Sequence, residues 1–309
     1  MDLDVKKETY LLLIFTTIVW GIQPLCIKLL IADWSPVTIT CARYLMISGI
    51  LFLLMYLRRD KGIRPPRSCW LSLAAMGVTG IFINNVTQFT GLQYSTVTNC
   101  TLIAATSPAI TSFMAALFIK ERLNLLAWIG IVISFIGVLS VVSHGSMEVV
   151  AKIDFNKGDI LFFVCQIFWT IYSVVGLRVM QKISAMAATA WAGLFGAICT
   201  AGYGLITGEL TPVFLPTLSW AAYFYTVFLG GVMAMLFWNI GVKNAGPSVT
   251  SIFQNITPIV GMIGGALLFN EVIGIGECGG ALAIFGGVYL TTHSNVLEEY
   301  IEHHWLRRA

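Results

Sequence analysis

Long apolar stretches, each about the length of a bilayer-crossing helix, alternate along this chain with short polar intervals. Crossing roughly 30 Å of hydrocarbon takes about 20 apolar residues in a helix. Lipid offers no partner to an unpaired backbone group, so each stretch is expected to be helical. Ten spans follow, near 10–31, 36–57, 69–91, 95–119, 124–143, 158–180, 184–206, 218–242, 247–269 and 275–292. The fold class expected is an all-α integral membrane protein.

The pattern also repeats. Residues 101–121, TLIAATSPAITSFMAALFIKE, share few letters with residues 251–271, SIFQNITPIVGMIGGALLFNE. Each nevertheless sets a polar residue before a Pro (Ser107-Pro108, Thr257-Pro258) and a Glu thirteen residues after it (Glu121, Glu271). An offset of 149 or 150 pairs Trp20 with Trp169, Ser35 with Ser184, Gly91 with Gly241, Pro108 with Pro258, Glu121 with Glu271, Gly130 with Gly280 and Gly137 with Gly287. Five helices per copy is an odd number, so the second copy enters the membrane inverted, the arrangement of many secondary transporters. The expected organisation is a first five-helix repeat over 1–145, an outer linker over 146–157, a second inverted repeat over 158–293 and a cytoplasmic interfacial tail over 294–309.

Composition agrees: of 309 residues, 57% are hydrophobic and 11% charged, against roughly 45–50% and about 25% in soluble domains. The bases set a direction, because short loops rich in Lys and Arg stay in the cytoplasm. With the N-terminus inside, fourteen of the eighteen bases fall on that side: Lys6, Lys7, Arg58, Arg59, Lys61, Arg64, Arg67, Lys120, Arg122, Arg178, Lys182, Lys243, Arg307 and Arg308. Lys152 and Lys157 fall outside, and Lys28 and Arg43 lie within the membrane. A multi-pass protein of the cell inner (plasma) membrane is expected, with both termini cytoplasmic. No basic stripe points to nucleic acid. The seven cysteines show no CxxC or metal-ligand spacing and read as small buried residues, so no metal or cofactor is expected. In the tail, His303-His304 is read as part of an interfacial helix with Trp305, Arg307 and Arg308.

The ordered set IVWGIQPLCIKLL, Arg43, GLQYSTVTNCTLIAATSPAITSFMAALFIKERLNLLAWIGIVISFIGV and its second copy GVKNAGPSVTSIFQNITPIVGMIGGALLFNEVIGIGECGGALAIFGGV resembles the ten-helix EamA-type exporters of the drug/metabolite transporter superfamily over nearly the whole chain. The resemblance implies alternating access by two five-helix repeats. It also implies a central cavity lined by the first four helices of each repeat, with the fifth and tenth at the periphery. It leaves the substrate open among amino acids, other metabolites and drugs.

Polar groups three, four and seven residues apart share a helix face, and such faces nominate a substrate wall: Trp20 and Gln23, Asn84 and Gln88, Trp169 and Tyr172, Trp238, Gln254 and Asn255. The alternative is that Ser and Thr bond their own helix and that Asn and Gln join helices. Pro108 and Pro258 each remove a backbone donor and free a carbonyl, which nominates them as hinges or as static kinks. Glu121 and Glu271 each end one helix before the next, where a carboxylate favours a helix N-terminus; both are read as structural.

Arg43 lies seven residues past Pro36, about 10 Å along a helix at about 1.5 Å per residue. Charge at that depth faces protein, water or a ligand, and no Asp or Glu lies at comparable depth. Its partners are therefore neutral acceptors, helix carbonyls or an anionic group on the solute, and its fork suits a carboxylate. Lys28, nearer the end of its helix, is expected to snorkel. The offset places Ala192 opposite Arg43. A secondary transporter exporting a small metabolite follows, an amino acid first and one with an apolar or aromatic side chain. Uniport is favoured over proton coupling because no histidine or mid-span carboxylate lies deep in the membrane. A drug exporter of the same superfamily, a channel and a polytopic membrane enzyme are the alternatives, although no aspartate pair or HExxH site for intramembrane hydrolysis is visible. The oligomeric state is open, a monomer included.

Overall fold

The computed structural model describes residues 3–59, 63–118, 124–148 and 155–301. Among these no strand occurs, and the helices fall into ten segments. We label them α1 (Leu3–Leu30), α2 (Pro36–Leu57), α3 (Arg67–Tyr94), α4 (Val97–Ala104 continued by Ser107–Phe118), α5 (Leu125–Val142), α6 (Lys157–Met180), α7 (Ala185–Thr207), α8 (Thr217–Pro247), α9 (Val249–Phe269) and α10 (Ile275–Ile301). Eight of these helices are long and apolar enough to cross a membrane. The other two expected spans are α4, which is broken, and α10, which runs on past residue 293 into the segment assigned to a tail. Glu121, His303, His304, Trp305, Arg307 and Arg308 lie outside the described residues.

Local sequence explains the helix starts. Ser35 accepts from Thr38 N ahead of Pro36, and its repeat partner Ser184 accepts from Ala187 N. A cap of this kind contributes about 1 kcal/mol, and here it is duplicated with the repeat. Gly246, at φ 81°, kinks the chain one residue before the end of α8, where it turns into α9, a left-handed conformation that glycine adopts without a Cβ penalty. One duplicated feature was not expected: π-helical turns cover Gly77–Ile83 in α3 and Phe228–Met233 in α8, matching positions at the offset of 150.

Reciprocal contacts establish the inverted two-fold relation. In a two-fold pair, if a residue meets the counterpart of a second, the second meets the counterpart of the first. A methyl group added at Gly130 would lie 2.5 Å from Gly287 O, and one at Gly137 would lie 2.8 Å from Gly280 O. Ile81 packs against Gly196, and Ile47 against Gly231; Phe162 packs against Gly91, and Leu13 against Gly241. Each pair maps onto its partner at the offset of 149 or 150. These glycines let backbones approach where lipid supplies no hydrophobic drive between helices. Thus α5 runs along α10, α2 along α7, α3 along α6 and α1 along α8, and the central cavity lies on the pseudo-axis.

Candidate functional site

The cavity takes Trp20, Gln23 and Pro24 from α1, Tyr44 from α2, and Asn84, Asn85 and Gln88 from α3. The rest of its wall is Cys100, Thr101 and Ala104 of α4, Gln166 and Trp169 of α6, Gly230 and Met235 of α8, and Gln254 and Thr257 of α9. Six amides and three aromatic rings are present, and among the described residues no charged side chain or histidine lines it. The cavity volume is about 70 Å³. A water takes about 30 Å³ in the liquid, so the cavity has room for only a few waters in this conformation.

The ring cluster stands on the pseudo-axis. Trp20 meets its repeat partner Trp169 edge to face, with centroids 5.3 Å apart and planes at 83°. Trp20 Nε1 donates to Gly230 O at 3.0 Å. Trp238 packs behind both, 5.2 Å from Trp20 and 5.4 Å from Trp169, and Tyr172 stacks on Trp169 at 5.1 Å and 13°. Tyr172 and Trp238, expected at the substrate wall, are instead 0% and 1% exposed. Tyr172 accepts from Asn239 Nδ2 at 2.7 Å, and Trp238 donates to Ser173 Oγ at 3.4 Å. They fix the rings that face the cavity.

Arg43, 1% exposed, stands behind the amide wall. It donates to Asn85 Oδ1 (3.3 Å), Gln23 Oε1 (3.4 Å) and Thr226 O (3.1 Å), and its guanidinium lies over the rings of Tyr44 and Phe89. All of these partners are neutral. A charge held so deep without a counter-ion is costly, and Arg43 Nε has no partner among the described residues. Through Gln23, Asn85 and Tyr44 its field reaches the cavity surface. Gln23 fits there because Gly230 has no side chain: a methyl group on Gly230 would occupy the place of Gln23 Oε1.

The prolines do not sit in mid-helix. The chain breaks at Ala105-Thr106 before Pro108, and a 3-10 turn over Phe253–Ile256 precedes Pro258, so each proline opens a new helix where no N–H is needed. The carbonyls that the prolines leave free are met. Gln254 donates to Ala104 O (3.2 Å) and Ser107 Oγ (2.9 Å) while accepting from Trp169 Nε1 (3.0 Å). In the other copy Thr257 Oγ1 donates to Gln254 O. Asn255 is not at the cavity. Thr87 bonds its own helix carbonyls, as the alternative reading held.

At the Lys28 end of the bundle the chain is tied by charge. Lys28 does not snorkel: its Nζ lies 2.9 Å from Glu271 Oε1. Glu271 also accepts from Val97 N (2.9 Å), Thr98 N (3.0 Å) and Thr98 Oγ1 (2.9 Å). It therefore caps α4 of the opposite repeat rather than the helix that follows it. Burial pushes its carboxyl up, but the Lys28 ammonium and the α4 donors outweigh this and hold it below the usual range. Beside it Asp159 is received by Ser95 Oγ and by Asn99 Nδ2 at 3.2 Å, and His144 Nδ1 lies 2.6 Å from Glu277 Oε1.

Of the ten residues nominated for substrate, Trp20, Gln23, Asn84, Gln88, Trp169 and Gln254 meet at the cavity, whereas Arg43, Tyr172, Trp238 and Asn255 do not line it. Asn85 and Gln166 were not nominated. Gln166 lies three residues before Trp169, on the same helix face, and that spacing was a usable signal.

Two inverted helical repeats closed around a buried amide and aromatic cavity define a membrane transporter. The EamA-like transporter family matches this chain twice, at residues 7–143 and 156–293, and the chain belongs to that family. The uncharacterized transporter YyaM of Bacillus subtilis is 28% identical, covering 82% of this chain and 84% of its own. An uncharacterized transporter of Archaeoglobus fulgidus is 28% identical over 93% of this chain and 98% of its own. The inner membrane transporter YedA of Escherichia coli K12, also uncharacterized, is 26% identical over 83% and 81%. A solved crystal structure at 17% identity covers 96% of this chain and 99% of its own with a TM-score of 0.68, a likeness of fold.

Proposed function

We propose that the protein exports a small zwitterionic metabolite, an amino acid first, by uniport through alternating access. The observation that carries this reading is Arg43, a buried cation whose neutral partners Gln23 and Asn85 form part of the cavity wall. An anionic group in the cavity would complete its charge balance, and a second charge of opposite sign would be met by amide oxygens. Trp20, Trp169 and Met235 suit an apolar or aromatic side chain. Room for only a few waters favours a small solute over a bulky drug. Export is taken from the family resemblance, and uniport from the lack of an acid or histidine among the described lining residues. Pro108 and Pro258, where two spans break, are the proposed hinges.

Purified protein in liposomes is expected to exchange labelled amino acids in counterflow, at a rate insensitive to an imposed pH gradient. Arg43→Ala is expected to impair carboxylate-bearing solutes more than neutral analogues. Equal losses for both, or lumenal acidification that tracks the solute, would overturn the reading.

A further inference from the structure

We infer that the cavity is polarised: its α3–α6 wall takes the ammonium end of the solute at Gln166 and Asn84, and its α1 wall takes the anionic end, so that Gln166 determines specificity. This rests on the zwitterion reading above. An amide has one donor end and one acceptor end, so the end that the protein engages fixes the end left for the solute.

Gln166 is 4% exposed and lines the cavity. Its Nε2 turns to Cys165 Sγ at 3.7 Å, while its Oε1 has no partner among the described residues. Asn84 uses the same anchor, donating to Cys165 O and Sγ at 3.0 Å each, and no hydrogen bond to its Oδ1 exists among the described residues. Two neighbouring amides thus tie their nitrogens to one cysteine and leave two oxygens without a donor in residues that line the cavity. A buried acceptor without a donor is rare enough to require an explanation. On α1 the sense is reversed: Gln23 Oε1 accepts from Arg43, so its NH₂ is the free end and the cation stands behind it. An ammonium group is repelled from the Arg43 side and drawn to paired carbonyl dipoles.

The test uses the full-length protein in liposomes and three competitors of one side chain: the L-amino acid, its 2-hydroxy acid and its decarboxylated amine. In Gln166→Leu the amino acid and the amine are expected to lose about tenfold in apparent affinity, the scale of one hydrogen bond to a charged group, while the hydroxy acid stays within about twofold. In Gln166→Glu, which keeps the size and adds a charge, the amine should gain and the hydroxy acid should lose. Parallel losses of all three in Gln166→Leu, or an unchanged ratio in both variants, would mean that Gln166 holds only a water, and would overturn the inference. A wild-type protein that binds the amine but no amino acid, with dependence on Gln166, refutes the amino-acid reading and keeps the ammonium site. Binding of the hydroxy acid alone refutes the site, and binding of none of the three refutes both.

Discussion

Where the first repeat presents a polar group, the second usually presents an apolar one: Arg43 against Ala192, Gln23 against Tyr172, Asn85 against Met235 and Gln88 against Trp238. Ala104 against Gln254, Pro24 against Ser173 and Cys100 against Thr250 reverse the sense at the cavity. The scaffold contacts behave differently, because glycine packing, Ser caps, π-turns and the tryptophan pair all recur in both copies. Duplication has preserved what holds the helices together, the central tryptophan pair included, and diverged in the amides and the cation around the cavity. The difference has a physical use. A symmetric cavity would offer the same group at both ends and bind an asymmetric solute in two orientations, whereas a lone cation on one wall selects one.

Removing the most unequal pair should produce the largest effect. Arg43→Met leaves Gln23 Oε1, Asn85 Oδ1 and Thr226 O without this donor, and each buried acceptor left unsatisfied costs about 1–3 kcal/mol. A large fall in melting temperature in detergent is expected. Arg43→Lys should recover little of it, because one ammonium cannot reproduce the fork that reaches three acceptors. Full recovery by Lys would show that charge alone, not geometry, holds the α1 wall.

The glycines opposite Gln23 and Tyr172 sharpen the comparison, since the same change at equivalent positions meets different neighbours. Gly80→Ala drives a methyl group into the ring of Tyr172, which is buried and stacked on Trp169, and overpacking of this kind costs about 1–3 kcal/mol. Gly230→Ala meets Gln23 Oε1, the end of a side chain able to turn away from Arg43. We expect Gly80→Ala to lower the melting temperature more and Gly230→Ala to lower transport more. Equal effects on both readouts would mean that the two sites have not diverged.

Charge at the Lys28 end is a smaller asymmetry, because the counterpart of Lys28 is Leu177. Glu271 is held below its usual pKa in the fold, so its contribution is fully present above the unfolded value of about 4.3 and is lost as pH falls through the folded value. Glu271→Gln should therefore lower stability at pH 7 by about 1.5 kcal/mol, the scale of a hydrogen bond to a charged group. It should also flatten the loss of stability on acidification below about pH 4. A variant whose stability falls with acid as steeply as the parent's would remove Glu271 from the α4 cap.

The scaffold was legible because it is written twice: Ser35 and Ser184, the prolines and the paired glycines carry the inverted repeat in the chain itself. Chemistry that depends on contacts across the fold was not. Lys28 and Glu271 are 243 residues apart, and no local pattern couples them. The π-turns were invisible, since one extra residue in a turn of an apolar helix leaves no mark in its hydrophobicity. Their consequence is concrete. The turn at Gly77–Ile83 re-phases α3 just before Asn84 and Asn85, so the direction these cavity-lining residues face does not follow from the spacing of the residues before the turn. Gln166 differs, because its spacing from Trp169 was readable.

The smallest effect belongs to the most symmetric pair. Trp20 and Trp169 are equivalent and in contact, yet their indole donors go to different acceptors, Gly230 O and Gln254. Replacing either by Phe keeps most of the ring and removes one hydrogen bond, worth about 1 kcal/mol. The edge-to-face contact should survive, so the two single changes are expected to be alike and their double-mutant coupling small. Trp169→Phe has one further consequence. It releases the oxygen of Gln254, whose nitrogen stands in for the donor that Pro108 lacks, so the break in α4 should loosen and its amides exchange faster. Trp20→Phe leaves that bridge intact. Faster hydrogen exchange at residues 104–107 in Trp169→Phe alone would tie the aromatic pair to the α4 break, and equal exchange in both variants would separate them.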